Sequence, residues 1–159
     1  MTEGGALTEV RFYHLEHQPL DKVLPRMLQM GLERGWRAVV QAGTDERAES
    51  LSSRLWAFED DGFLPHGTKA DGFASFQPVW LTAADENPNR ANVRFYVDGA
   101  RPLDITDLMR AVVIFDGHDE MAVKEAREDW KRFKGEGCEV SYWKQDGEGR
   151  WMNLAAPGS

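Results

Sequence analysis

At 159 residues the chain suits a single domain, and a domain of that size buries roughly 70% of the surface its unfolded form exposes. The net charge of −8 opposes broad, non-specific nucleic-acid binding, which needs many cations facing phosphates, although a local basic patch can still serve an acidic partner. One cysteine, Cys138, cannot form an internal disulfide, no apolar run reaches the length of a membrane span, and MTEGGALTE lacks the basic start of a signal peptide, so a cytoplasmic protein is expected.

Residues 1–9 are small and polar and predict a flexible tail; one domain follows over residues 10–154, and a second short tail over 155–159. VRFYHL, Val10 to Leu15, mixes β-branched, aromatic and apolar residues and predicts a first strand. Leu20 to Arg34 carries Leu20, Val23, Leu24, Met27, Leu28 and Leu32 at helical spacing. Pro25 lies inside it, so the helix either starts near Leu24 or kinks. Gly35 closes that helix, and Trp36 to Ala42 predicts a second strand. Gly43-Thr44-Asp45 supplies a turn and an N-cap for a helix from Glu46 to about Phe58, with Ala48, Leu51, Leu55 and Trp56 inward. A glycine-rich loop leads to a short buried strand at Val79 to Thr82 and, after a polar turn, to a fourth strand at Val93 to Val97. That turn is short enough to allow one antiparallel pair. A helical piece is expected around Ile105 to Met109, a strand at Ala111 to Phe115, a long helix within Asp116 to Lys134, and strands at Glu139 to Lys144 and Arg150 to Leu154. Strands alternating with helices predict an α/β fold, with a mostly parallel sheet and helices on both faces.

Such a sheet raises nucleotide binding, which requires a glycine-rich turn where backbone meets phosphate. The first strand is followed by EHQPLDK, and neither GxGxxG nor GxxxxGK[ST] occurs, so a degenerate nucleotide-binding enzyme stays the weaker alternative. His14, His17, His66 and His118 form no HExxH pattern. DGHDE, Asp116 to Glu120, reads better as a turn at Gly117 with Asp119 capping a helix than as a metal loop. Cys138 has no base partner, Asp60-Asp61 falls in a loop, and there is no GxSxG elbow, so no catalytic residue, metal or cofactor is expected.

Two features remain. On the long helix, Lys124, Arg127, Lys131 and Lys134 fall on one stripe at about 100° per residue. Val123, Ala126, Trp130 and Phe133 form the adjoining apolar face, and Glu125, Glu128 and Asp129 take the remaining side. The stripe thus borders the exposed edge of a tryptophan, which suits an acidic peptide with an apolar side chain. Spacing alone leaves this level with a solvated face held by pairs such as Glu120–Lys124 and Glu128–Lys131. The second feature is Phe63-Leu64-Pro65-His66, either a loop that folds into the core or an exposed contact.

The order FYHL, GWRAVVQAG, DERAESLSSRLWAFEDDGFLPHG, VDG, FDGHDE, the ARxxWKxxK helix and EVSYWKQ resembles the chi subunit of bacterial DNA polymerase III over roughly Val10 to Trp151. The resemblance implies a Rossmann-like clamp-loader accessory subunit without intrinsic activity or nucleotide-binding function. It would join the clamp loader, where known through a psi subunit, to single-stranded DNA-binding protein, holding that protein's acidic C-terminal tail, which ends in proline and phenylalanine. The family's tail-binding helix aligns Arg127, Trp130 and Lys131 with its arginine, aromatic and lysine positions. The family lysine one turn earlier falls at Val123, with Lys124 beside it, and a valine of some members is replaced by Asp116. Lys124 and Lys134 would steer the tail by proximity, Trp56 would line the same region, and Phe63, Leu64, Pro65 and His66 would face psi. Direct DNA binding is not expected.

Overall fold

The computed structural model describes residues 8–56 and 65–154, with the Trp56 side chain outside that set. In chain order the elements are β1 (Glu9–Leu15), α1 (Leu20–Glu33), β2 (Ala38–Gln41), α2 (Asp45–Trp56), β3 (Val79–Thr82), β4 (Val93–Tyr96), β5 (Arg110–Asp116), α3 (Glu120–Gly135), β6 (Glu139–Gln145) and β7 (Trp151–Leu154). The strands form one sheet in the order β3-β2-β4-β5-β1-β6-β7, parallel except for the β6–β7 pair. This is the expected α/β architecture.

Alternation along the strands divides the core into two layers. On one face Tyr13 and Leu15 of β1, Val40, Phe95, Val112 and Ile114 meet Val23, Leu24 and Leu28 of α1 and Ala48, Leu51 and Leu55 of α2. On the other, Val10, Phe12, Val113, Phe115 and Tyr142 meet Ala126, Trp130 and Phe133 of α3. Pro25 lies within α1, which starts at Leu20, five residues earlier. Its missing N–H would otherwise bond the carbonyl of Asp21, so only one early helical bond is lost. Thr44 caps α2 by accepting from the Arg47 amide at 3.1 Å.

Three expectations change. The β3–β4 connection does not make an antiparallel hairpin: both strands flank β2 in parallel. The segment between them returns to the start of β2, pinned by Asn89 Nδ2, which donates to the carbonyls of Ala38 (3.0 Å) and Gln77 (2.8 Å). Buried Arg94 braces it further with bonds to the carbonyls of Ala84 and Glu86. Ile105 to Met109 forms a turn, not a helix. At the N-terminus the fold starts earlier than predicted: Thr8 is buried with its hydroxyl donating to the carbonyls of Ile105 and Leu108, and Glu9 already belongs to β1.

Candidate functional site

The long helix begins where expected. The Asp119 carboxylate accepts from the amides of Met121 (3.0 Å) and Ala122 (3.2 Å), the geometry of an N-cap. A groove of about 540 Å³ runs between α3 and the ends of β1 and β6, with Val123, Lys124, Arg127 and Lys131 along one wall. Lys144 of β6, Glu16 after β1, Gly117 after β5 and the α3 acids Glu120 and Glu128 complete it, with His14 in its lining, so four cations face three carboxylates there. Of the five residues predicted from the stripe, the structure brings Lys124, Arg127 and Lys131 together there. Trp130 and Lys134 do not line it.

Trp130 corrects the expectation of an exposed tryptophan edge. It is 9% exposed and belongs to the core beneath α3, with the Lys134 ammonium 4.7 Å from the centre of its ring. Asp129, read as part of the outer acidic side, is also buried. Arg101 grips its carboxylate through two bonds of 3.1 and 2.8 Å. Lys124 and Lys131, by contrast, make no ion pair with Glu120, Glu128 or any other described acid within 4.0 Å. The solvated-face reading relied on those pairs, so their absence leaves Lys124 and Lys131 available to an outside anion.

The sequence reading missed Lys144, His14 and Glu16. Lys144 lies 3.3 Å from Glu16 and adds a fourth cation to the groove from a different element. His14 is 8% exposed, and its Nδ1 shares a 2.6 Å hydrogen bond with the Tyr142 hydroxyl. Burial first, then the Lys144 ammonium, push the imidazole below its ordinary value, against the pull of Glu16. Burial likewise pushes the Tyr142 hydroxyl up to about 12. Gly117 lies against this imidazole so closely that a side chain there would collide with it. Asp116 turns away from the groove to a neighbouring crevice, where it accepts from the His118 amide. The one available signal was the strand alternation, which puts His14 on the same sheet face as Val10 and Phe12.

That crevice, about 740 Å³ at the carboxyl ends of the strands, is the usual nucleotide position of a doubly wound sheet. Here Glu16, Asp98, Asp116, Asp119, Glu125 and Asp129 line it. Its two arginines are committed to carboxylates, Arg47 to Asp98 at 2.9 Å and Arg101 to Asp129 at 2.8 Å. Asp119 already fills the anion-binding end of α3. Such a crevice repels a polyphosphate.

Pro65 and His66 of the FLPH segment are among the described residues. Phe63 and Leu64 lie outside the described residues, as does the Trp56 side chain. Pro65 is half-buried, and His66 is buried at 3% with Nε2 3.1 Å from the carbonyl of Ser52. His66 therefore anchors the loop inward. In the same connection, Phe73 and Phe76 are 76% and 77% exposed, which a glycine-rich loop reading had not singled out.

Among the described residues no cluster of histidine, cysteine or acids could hold a metal ion, and no helix is long and apolar enough to cross a membrane. A family model described as DNA polymerase III chi subunit, HolC, matches residues 7–141. The chain is also 24% identical over 156 residues to a protein named probable DNA polymerase III subunit chi from Rickettsia prowazekii (strain Madrid E), covering 94% of this chain and 93% of that one. With the parallel sheet, the capped helix and the motif order all agreeing, this chain belongs to the DNA polymerase III chi subunit family.

Proposed function

We propose that this chi subunit, a non-catalytic replication component, captures the acidic C-terminal tail of single-stranded DNA-binding protein in the α3 groove and ties it to the clamp loader in the cytoplasm. The observation that carries the reading is the convergence of Lys124, Arg127, Lys131 and Lys144 around Val123 in one groove of an acidic protein. Arg127 supplies a charge-assisted, bidentate contact to a tail carboxylate, and the lysines raise the association rate. Val123 and the aliphatic stems of the lysines receive the terminal ring. Trp130 acts from below, holding the helix and Lys134 in place. A single tail binds weakly because the interface is small and the peptide loses freedom, and many tails on coated DNA compensate through effective concentration.

The clamp-loader side, through psi where present, is assigned to Phe63, Leu64, Pro65 and His66, and the exposed Phe73 and Phe76 are a further candidate contact in the same connection. Titrating the protein with an acidic peptide ending in proline and phenylalanine tests the tail site. Arg127→Ala should weaken binding by about 1.5–3 kcal/mol, the value of a hydrogen bond to a charged group. Equal affinity of the two proteins, or no loss on removing the terminal phenylalanine, would sink the assignment.

A further inference from the structure

The opposite face of the sheet carries a second feature that the α3 groove does not use. Helices α1 and α2 pack on that face, α1 reaching Tyr13 and Leu15 of β1, and the face opens between the C-terminal half of α1 and the strands toward β6 and β7. Where the C-terminal half of α1 ends, a hollow of about 250 Å³ remains between the helix and the strands. Its walls are apolar and aromatic: Tyr13, Met27, Phe95, Trp36, Trp143 and Trp151 among them, so three of the six tryptophans meet here. Tyr13 stacks on Trp143 with ring centres 5.9 Å apart and meets Trp151 edge-on at 5.0 Å. An apolar cavity of about 150 Å³ already accepts a benzene ring, so this hollow has room for one aromatic side chain, short of a cofactor.

The rim is basic. Arg11 lies 5.4 Å from the Trp143 ring centre, and Arg34 and Arg110 lie 5.0 and 4.9 Å from that of Trp36. Against these three guanidiniums stands one described carboxylate in contact, Glu9, which bonds Arg11 and Arg110. Burial pushes the Glu9 carboxyl up, but the two arginines outweigh it and hold it below the ordinary carboxylate value. Arg34 is exposed and has no ion pair among the described residues. In a chain of net charge −8, a cationic rim around an aromatic hollow is complementary to an anion that carries a ring.

We propose that this hollow is a second peptide site, which binds an acidic segment by inserting one of its aromatic side chains while flanking carboxylates meet Arg34, Arg110 and Arg11. The cations sit around the mouth on separate elements, the end of α1 and the two strands β1 and β5. A chain with acids on both sides of the ring reaches them all, whereas a small aromatic acid has one anionic group to place. Trp151 brings the hollow next to β7, an edge strand along which an extended segment can lie. The proposal is independent of the tail reading at α3, because the two surfaces lie on opposite faces of the sheet.

Tryptophan fluorescence gives a direct readout, since three indoles line the site. The probe is a blocked synthetic peptide with one phenylalanine flanked by glutamates, titrated into the full chain. Saturable change is expected with this peptide and not with its Phe→Ala or Glu→Lys analogues. Arg34→Glu should weaken it about tenfold or more. Gly31→Leu should abolish it by filling the hollow; a Cβ at position 31 meets Trp36 at an ordinary 3.6 Å, and leucine favours the helix over glycine. Should Gly31→Leu fail to fold, the surface variant Arg34→Glu decides. The Arg127→Ala protein should bind the probe as the wild type does. Absence of saturation in the wild type, equal binding of either analogue, loss of binding in Arg127→Ala, or equal affinity for 3-phenylpropionate would each overturn the proposal.

Discussion

Arg127 and Asp129, two positions apart on α3, show how a single helix turn separates a groove-lining residue from a buried structural one. Arg127 lines the groove, while the Asp129 carboxylate, 6% exposed, is gripped by Arg101 at 2.8 Å. Removing that carboxylate leaves Arg101, 39% exposed, free to find water, so the full penalty of a stranded buried charge does not apply. Asp129→Ala should therefore cost about 1.5–3 kcal/mol in urea unfolding, with tail affinity little changed; an unaltered midpoint would show that the bond carries no stability. His14 makes a pH prediction. Its folded pKa lies below the ordinary histidine value, so as pH falls the unfolded chain takes up the proton first. The stability it contributes is fully present above the ordinary value, about 6.5, and is lost as pH falls through the depressed folded value. Denaturation curves at a series of pH values should show a shallower acid decline for His14→Gln than for the wild type, and parallel declines would refute the role. Neither residue's situation was legible in the sequence. Asp129 follows Glu128 in an acidic run, and its burial depends on Arg101, which arrives from a loop 28 residues earlier. His14 acquires its character from Tyr142 and Lys144, both more than a hundred residues away.

Elements were legible where a local rule decided them. The Asp119 cap and the apolar stripe of α3 depend on residues within one or two turns and appear as read. Within the Gly43-Thr44-Asp45 turn the structure selects Thr44 as the cap of a helix that starts one residue earlier, at Asp45. Asp119→Ala should cost about 1 kcal/mol of stability by leaving two amides of the first turn without their acceptor. It should leave the groove cations in place, so a urea midpoint shift with preserved tail binding is the expected result; no shift would show that the cap is dispensable. The β3–β4 connection marks the limit of local reading. Ten residues between two strands satisfy both a hairpin and a return crossover, and nothing in their turn chemistry excludes either. The choice rests on Asn89 and Arg94 bonding into the loop and β2, which are contacts between distant segments. Ile105 to Met109 failed for a related reason: Ile105 and Leu108 have helical spacing, but their carbonyls accept from the Thr8 hydroxyl in a turn.

At the scale of the molecule, the proposed capture of acidic peptides by a chain of net charge −8 relies on the fields of two local sites. At about 0.1 M salt the screening length is about 10 Å, so the distant negative charges are largely screened and the groove cations are offset only by the groove's own acids, Glu16, Glu120 and Glu128. Raising the salt toward about 1 M, where that length is about 3 Å, should weaken tail binding several-fold; unchanged affinity in titrations at the two concentrations would remove the groove charges from the account. The placement of the elements determines which charges share a site. Because α3 crosses from β5 over β1 to β6, its basic stripe meets the end of β1 and Lys144. Because α1 and α2 cover the other face only in part, three tryptophans scattered over residues 36 to 151 line one hollow. Periodicity, capping and motif order were sufficient to determine the α/β class, the family likeness and the Lys124–Arg127–Lys131 stripe, since these are properties of neighbouring residues. The tertiary structure alone decided the strand order, the burial of Trp130 and Asp129, and the entry of His14 and Lys144 into the groove, because burial and electrostatic environment belong to whichever elements pack together, and sequence distance does not encode that choice.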